Sequence, residues 1–90
     1  MSEASRIVEV TNKRGLHARA SAKFVTLAAS LPATVEVEKD GSKVVGTSIM
    51  GLMMLGAAKG DTIVISANGD GAQEAVDALC ALVEARFNEE

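Results

Sequence analysis

His17, the one histidine of the 90-residue chain, lies in the segment RGLHARASA, residues 14–22, two positions from both Gly15 and Arg19. Apolar residues at helical spacing follow it, so His17 falls near the start of a helix, where several backbone N–H groups lack a helical partner. Those donors, the helix dipole and Arg19 favour an anion and disfavour a protonated ring. A neutral imidazole keeps a nucleophilic lone pair, and a phosphoryl group on it would meet the free amides and the guanidinium fork. The segment therefore indicates either a phosphoryl-accepting histidine or a solvated helix-cap histidine without chemistry.

The charge pattern supports an anion near His17. The formal net charge is −3, which counts against a dedicated nucleic-acid binder, because phosphate backbones recruit clustered Lys and Arg. Four of the nine basic residues nevertheless flank the histidine: Lys13, Arg14, Arg19 and Lys23. A basic patch on an acidic domain suits a small anion or an acidic protein partner, although a solvated charged face is the plainer alternative.

The composition limits other kinds of site. One histidine, one cysteine and scattered carboxylates lack metal-ligand spacing, so we expect no metal and no cofactor. Cys80 lies on an apolar helical stripe and is expected in the core. The N-terminal MSEASR is polar, and the longest apolar run, IMGLMMLGAA, is shorter than the roughly 20 residues that a membrane span needs. We therefore expect a cytoplasmic protein without membrane insertion.

The first half of the chain predicts a strand, a helix and a hairpin. Alternation predicts a strand over residues 6–12, and helical spacing from Ala18 predicts a helix that Pro32 ends. Valine alternates with glutamate in TVEVEKDGSKVVG, residues 34–46, where Asp40-Gly41 supplies a tight hairpin turn.

The second half predicts a helix, a strand and a helix. Thr47 or Ser48 can cap a short helix that ends near Gly56, and DTIVISA, residues 61–67, reads as a strand. Asp70 opens a capping box for a final helix whose apolar stripe extends to Phe87. The order β-α-β-β-α-β-α predicts a single α+β domain over residues 1–90, with a four-stranded sheet covered on one face by helices.

Two motifs resemble the HPr family, the histidine-containing phosphocarriers of the bacterial phosphotransferase system. RGLHARASA is similar to the family's GLHxRPA segment, and TSIMGLMMLGAAKGD, residues 47–61, is similar to its second signature at the family's spacing. With the element order, the resemblance covers nearly the whole chain. It implies an HPr-like open-faced β-sandwich whose antiparallel sheet has the strand order 1-4-2-3, covered by three helices.

The resemblance also implies the roles of particular residues. His17 would be the phosphorylated histidine, Arg19 would stabilise the phosphate, and Ser48 would be the regulatory serine, with Thr47 as the fallback acceptor. Enzyme I would load His17 from phosphoenolpyruvate, and IIA domains would receive the phosphoryl group. An HPr kinase/phosphorylase would act on Ser48. The chain would then be a carrier and not an enzyme with its own turnover.

The resemblance also implies a docking surface around the predicted short helix. The family's surface corresponds to Ile49, Met50 and Met53. Leu52 and Leu55 can fill the buried side of so short a helix, which favours exposure of the other three. A methionine stripe that belongs to the core is the alternative. Met54 is apolar where the family often keeps a polar residue.

Three questions stay open at this point. Ala20 stands where the family usually has proline, which puts the standard loop geometry in doubt but adds one backbone amide. A regulatory binding module that works through Ser48 is the rival function, against which the presence of His17 argues. The sequence leaves sugar uptake and a nitrogen-branch or regulatory relay equally open; we expect a monomer.

Overall fold

The computed structural model describes residues 2–89, which form four strands and three α-helices. The strands are Glu3–Glu9 (β1), Thr34–Lys39 (β2), Ser42–Val45 (β3) and Thr62–Asn68 (β4). The helices are Ala18–Ala29 (α1), Ile49–Met54 (α2) and Ala72–Glu84 (α3), followed by a 3₁₀ turn at Arg86–Asn88. The sheet is antiparallel with the order β1-β4-β2-β3, so the predicted fold is confirmed.

The core lies between one face of the sheet and the helices. In β4, Ile63, Ile65 and Ala67 are buried, and the residues between them are more exposed, as the period of two in a strand requires. From α1, Phe24 is fully buried, and α3 packs along β1 and β4. Nearly all the buried side chains are aliphatic, in keeping with a chain that has only 2% aromatic residues.

The first strand lies earlier than predicted. It covers Glu3–Glu9, not residues 6–12, because β4 supplies seven paired residues, from Asn68 opposite Glu3 to Thr62 opposite Glu9. Val10 keeps one further bond, from its N–H to the Asp61 carbonyl at 2.8 Å, and the chain then leaves the sheet. The local alternation correctly predicts that Val8 and Val10 are buried, but it does not reveal how far the partner strand extends.

The predicted capping box at Asp70 is wrong. The N-cap of α3 is Gly71, with φ 74°, and no side chain caps this helix. Gly69 and Gly71 both take positive φ, which a glycine adopts without strain, and they carry the chain past Asp70 before the helix begins. Gln73 donates to Asp77 one turn later and does not reach back toward the cap.

The final helix ends earlier than its apolar stripe predicted. It stops at Glu84, and Arg86, Phe87 and Asn88 take the left-handed φ values 57°, 55° and 60°. That conformation costs about 1–2 kcal/mol per residue. Full burial of the Phe87 side chain stabilises the fold by about 1.5–3 kcal/mol and offsets part of this cost. Phe87 therefore joins the core as predicted, but from a turn that folds the chain back toward α1.

A glycine contact fixes the loop between β1 and α1. Gly15 has φ 66°, and a Cβ at this residue would lie 2.3 Å from the carbonyl oxygen of Ala57. The next residue, Leu16, donates its N–H to that same oxygen at 3.0 Å, and Gly60 donates to the Val10 carbonyl at 2.8 Å. The loop that precedes His17 is thus pinned by main-chain contacts to the loop between α2 and β4.

None of the helices between residues 2 and 89 has the length and hydropathy of a membrane-spanning segment.

We predict that Gly15→Ala lowers the free energy of unfolding by about 3 kcal/mol, since it combines left-handed strain with a backbone clash. Gly56→Ala is the matched control: Gly56 has φ 67°, but a Cβ there meets nothing within 4 Å. The control is expected to lose only about 1 kcal/mol. Urea denaturation of both variants measures the difference, and equal losses would show that the Ala57 contact does not constrain the loop.

Candidate functional site

His17 is the N-cap of α1, as predicted. Its backbone is extended, with φ −74° and ψ 179°, and its carbonyl accepts the first intrahelical bond, from Ser21 N–H at 2.9 Å. Its ring Nδ1 accepts from the backbone N–H of Arg19 at 3.3 Å. The histidine thus acts as the cap, and Nδ1 faces the backbone donors of the first helical turn.

The other ring nitrogen is held by a carboxylate. Nε2 of His17 lies 2.7 Å from Oε2 of Glu89, and both side chains are largely shielded, at 13% and 19% exposure. An ionised carboxylate only accepts hydrogen bonds, so Nε2 carries the proton and Nδ1 keeps the lone pair. This pairing leaves Nδ1 as the ring nitrogen that carries the lone pair.

Asn12 holds the carboxylate from its other side. Its Nδ2 donates to Oε1 of Glu89 at 3.2 Å and to the Gly15 carbonyl at 2.8 Å. Asn12 is only 1% exposed, and its Oδ1 has no hydrogen-bond partner in the described structure. The buried amide therefore ties the His17 loop to the segment that follows α3.

Cations surround the histidine. A depression of about 400 Å³ is lined by Lys13, Arg14, His17, Arg19, Lys23, Asn88 and Glu89. The predicted basic patch is therefore real: all four flanking cations line the same hollow. Lys23 also donates to the Phe87 carbonyl at 2.7 Å and so fastens the 3₁₀ turn to α1. Among the described residues, four cations and one carboxylate line this depression, a balance that suits a polyanionic group bound beside the ring.

Opposing effects set the ionisation of Glu89. Partial burial alone would raise the pKa of its carboxyl, but hydrogen bonds from His17 and Asn12 and the nearby Lys23 hold that pKa below its usual value. Because the folded-state pKa is lowered, the contact stabilises the fold above the ordinary carboxyl pKa and weakens as pH falls through the lowered one. At neutral pH Glu89 is therefore ionised and able to accept from His17.

Sequence reasoning found the cations of this site but missed Asn12 and Glu89. Glu89 is 72 positions from His17, and the predicted continuous final helix would not have turned it back toward α1. Only the left-handed turn after Ala85 brings it there, and no local residue pattern signals that turn. Asn12 carried a weak signal, because an asparagine that ends a strand commonly bonds to a nearby backbone carbonyl.

Ala20 is fully buried in the first turn of α1. Because Ser21 makes the first intrahelical bond, the Ala20 N–H is one of the amides without a helical acceptor. A proline here would lack that donor. The helix still begins at Ala18, so the substitution leaves the cap geometry of His17 in place.

Ser48 is the N-cap of α2. Its Oγ accepts from Gly51 N–H at 2.9 Å, which resolves the choice between Thr47 and Ser48 as the cap. Ser48 does not line the depression around His17, although α1 packs against α2. Ser48 and His17 are therefore separate positions on adjoining elements.

The exposed side of α2 carries the residues assigned to docking. Ile49, Met50 and Met53 are 39%, 69% and 40% exposed, and Met54 is 79% exposed. Leu52 and Leu55 are buried, as expected for the core side of this helix. The reading of this methionine stripe as ordinary core is therefore wrong.

Cys80 is buried on α3, and burial raises the pKa of its thiol. It is a core residue, as predicted, and it has no access to the depression. Within residues 2–89, no three His, Cys, Asp or Glu side chains form a group able to hold a metal ion.

Comparisons with known proteins find relatives that match nearly the whole chain. A family model described as the PTS HPr component phosphorylation site matches residues 4–85. The chain is 46% identical over 84 residues to phosphocarrier protein HPr of Cupriavidus necator, covering 93% of this chain and 94% of that protein. It is 40% identical over 89 residues to phosphocarrier protein NPr of Shewanella violacea, covering 99% and 98%. A crystal structure of HPr-C-His from Thermoanaerobacter tengcongensis superposes with a TM-score of 0.89 at 46% identity, covering 100% of this chain and 99% of that one.

Proposed function

This chain belongs to the HPr family, the phosphocarriers of the phosphotransferase system, and from that premise we propose that it carries its phosphoryl group on Nδ1 of His17. A member of this family is a carrier and not a catalyst. The observation that supports the assignment is that the two ring nitrogens have different partners: Nε2 bonds to Glu89 at 2.7 Å, whereas the Nδ1 lone pair accepts only a long, 3.3 Å bond from the Arg19 amide. That bond opens when Nδ1 attacks, which frees the amide to donate to the phosphoryl group.

The transfer needs no proton to enter or leave the ring. The Nδ1 lone pair attacks phosphorus, the bond from phosphorus to the donor breaks, and that bond's electron pair leaves with the donor. Backbone amides of the first turn of α1 and the four cations of the depression stabilise the phosphoryl dianion. Discharge is the reverse: the acceptor attacks phosphorus, and the electron pair of the N–P bond returns to Nδ1.

Partner recognition follows from the same surface. Enzyme I supplies the phosphoryl group, ultimately from phosphoenolpyruvate, and IIA domains accept it, in sugar uptake or in regulatory signalling. Both partners dock on the apolar patch Ile49, Met50 and Met53, whose exposure supports this role. Flexible methionines adapt to more than one partner surface. The protein acts as a cytoplasmic monomer formed by one domain over residues 1–90.

Ser48 regulates docking in this proposal. An HPr kinase/phosphorylase would phosphorylate Ser48, which begins the exposed helix. Phosphate adds about two negative charges there, directly before Ile49. Because that charge must be desolvated against a partner's apolar surface, the modification weakens the encounter without altering His17.

His17→Ala is expected to abolish labelling by phosphoenolpyruvate and enzyme I while the protein remains folded. The wild-type label should be acid-labile and base-stable, as expected for a phosphohistidine. Intact-mass spectrometry after incubation measures the label, and circular dichroism checks the fold. Persistent labelling of the variant would place the acceptor at another residue.

Arg19→Ala is expected to slow transfer by about ten- to a hundred-fold, the loss of one charge-assisted contact to the phosphoryl group. Its stability should change by no more than about 0.5 kcal/mol, because Arg19 is exposed. Arg19→Lys should restore transfer only partly, because an ammonium lacks the planar fork. Rapid-quench kinetics measures the rates. A wild-type rate in Arg19→Ala would show that Arg19 is a surface charge with no part in transfer.

Ser48→Asp is expected to raise the half-saturating concentration of this protein for enzyme I by about ten-fold, through like-charge and desolvation costs at the interface. The rate at saturation should be unchanged, and the aspartate should still cap α2. Ser5→Asp is the charge-matched control, since Ser5 is an exposed residue of β1 on the side of the sheet away from the helices. Equal half-saturating concentrations for the two variants would refute the regulatory role of Ser48.

A further inference from the structure

We propose that Glu89 is a positioning residue for phosphoryl transfer: it orients the His17 ring and neutralises the positive charge that the ring acquires when Nδ1 is phosphorylated. This inference rests on the proposed role of His17. It is carried by the bonds from His17 Nε2 and Asn12 to opposite oxygens of one carboxylate, at 2.7 and 3.2 Å.

The charge balance of the transfer requires such a partner. A neutral imidazole that gains a PO₃⁻ unit on Nδ1 and keeps its Nε2 proton becomes a cationic ring bearing a phosphoryl dianion. The cations of the depression stabilise the dianion but oppose the positive ring. Among the described side chains that line the depression, only Glu89 is anionic, and it meets the ring at Nε2, the nitrogen that does not bond to phosphorus.

The carboxylate is fixed in place before any partner arrives. Asn12 is buried and bonds to both Glu89 and the Gly15 carbonyl. These bonds hold the carboxylate in a fixed position relative to the loop that carries His17. From the other side, the left-handed turn at Arg86–Asn88 is held by buried Phe87 and by the bond from Lys23 to the Phe87 carbonyl. A carboxylate that holds an imidazole in one tautomer and stabilises its charged form is a known catalytic arrangement.

The position of Glu89 determines which step of loading should slow when its carboxylate is lost. Stabilising the ring's charge lowers the barrier to attack by Nδ1, so the benefit appears in the chemical step after docking. The apolar patch on α2 contributes to docking, and Glu89 is not part of it. Loss of the carboxylate should therefore reduce the rate at saturating enzyme I, whereas the half-saturating concentration should be unchanged.

The test compares Glu89→Gln and Glu89→Ala with the wild type and with Glu84→Gln. Glu84 is a matched control, because its carboxylate binds Arg6 on the exposed side of α3, outside the depression. Rapid-quench loading by enzyme I should slow by about ten-fold at saturation in Glu89→Gln, the size of one lost charge-assisted bond, and by more in Glu89→Ala. Glu84→Gln should load at the wild-type rate.

A spectroscopic measurement separates this proposal from the proposed function. In ¹⁵N-labelled protein the single histidine gives an unambiguous Nε2–H signal, which a bond to a carboxylate shifts downfield and protects from solvent exchange. That signal should be present in the wild type and in Glu84→Gln and be lost in Glu89→Ala. Wild-type signals and loading rates in both Glu89 variants would overturn the proposal. A wild type that shows the protected signal but no label at His17 would overturn the proposed function and, with it, a transfer role for Glu89. Normal labelling of wild-type His17 together with wild-type rates in both Glu89 variants would overturn the Glu89 proposal and leave the proposed function standing.

Discussion

The site depends on one main-chain constraint, the close approach of Gly15 to Ala57. The Ala57 oxygen lies where a Gly15 side chain would be, and it accepts a hydrogen bond from Leu16. This contact fixes the chain direction two residues before His17, so the histidine enters α1 as its cap with an extended backbone. The aliphatic core supports both loops, this contact sets the direction of the backbone into the cap, and Glu89 then holds the imidazole ring.

In this position the two ring nitrogens of His17 lie in opposite electrostatic environments. Nδ1 faces a helix N-terminus and cationic side chains, which favour an incoming phosphoryl dianion. Nε2 bonds to Glu89, the one carboxylate among the described residues that line the depression, and this contact stabilises the positive charge that the ring acquires on phosphorylation. A transferred phosphoryl group creates both charges at once, one at each nitrogen. The site therefore complements the loaded carrier, and it does so through contacts already formed in the unloaded protein.

Sequence reasoning succeeded where the determinants are local. Neighbouring residues alone determine three features that the structure reproduces: the strand alternation, the Asp40-Gly41 turn and the position of His17 before Ala18. The predictions failed where the bounds of an element depend on a residue far away in the sequence. The strand β1 starts at Glu3 because its partner β4 extends that far. The final helix ends at Glu84 because burial of Phe87 and the Lys23 bond support three left-handed residues. Glu89 reaches His17 only through that turn, so the cationic half of the site was predictable and its anionic half was not.

The most direct measurement of this account is the site of the N–P bond in the phosphorylated, ¹⁵N-labelled protein. One-bond coupling between ³¹P and a ring ¹⁵N identifies the nitrogen that carries the phosphoryl group, and the proton-coupled ¹⁵N spectrum identifies the nitrogen that carries the proton. The account predicts phosphorus on Nδ1 of His17 and a proton retained on Nε2. Phosphorus on Nε2, or no coupling to the His17 ring, would contradict it.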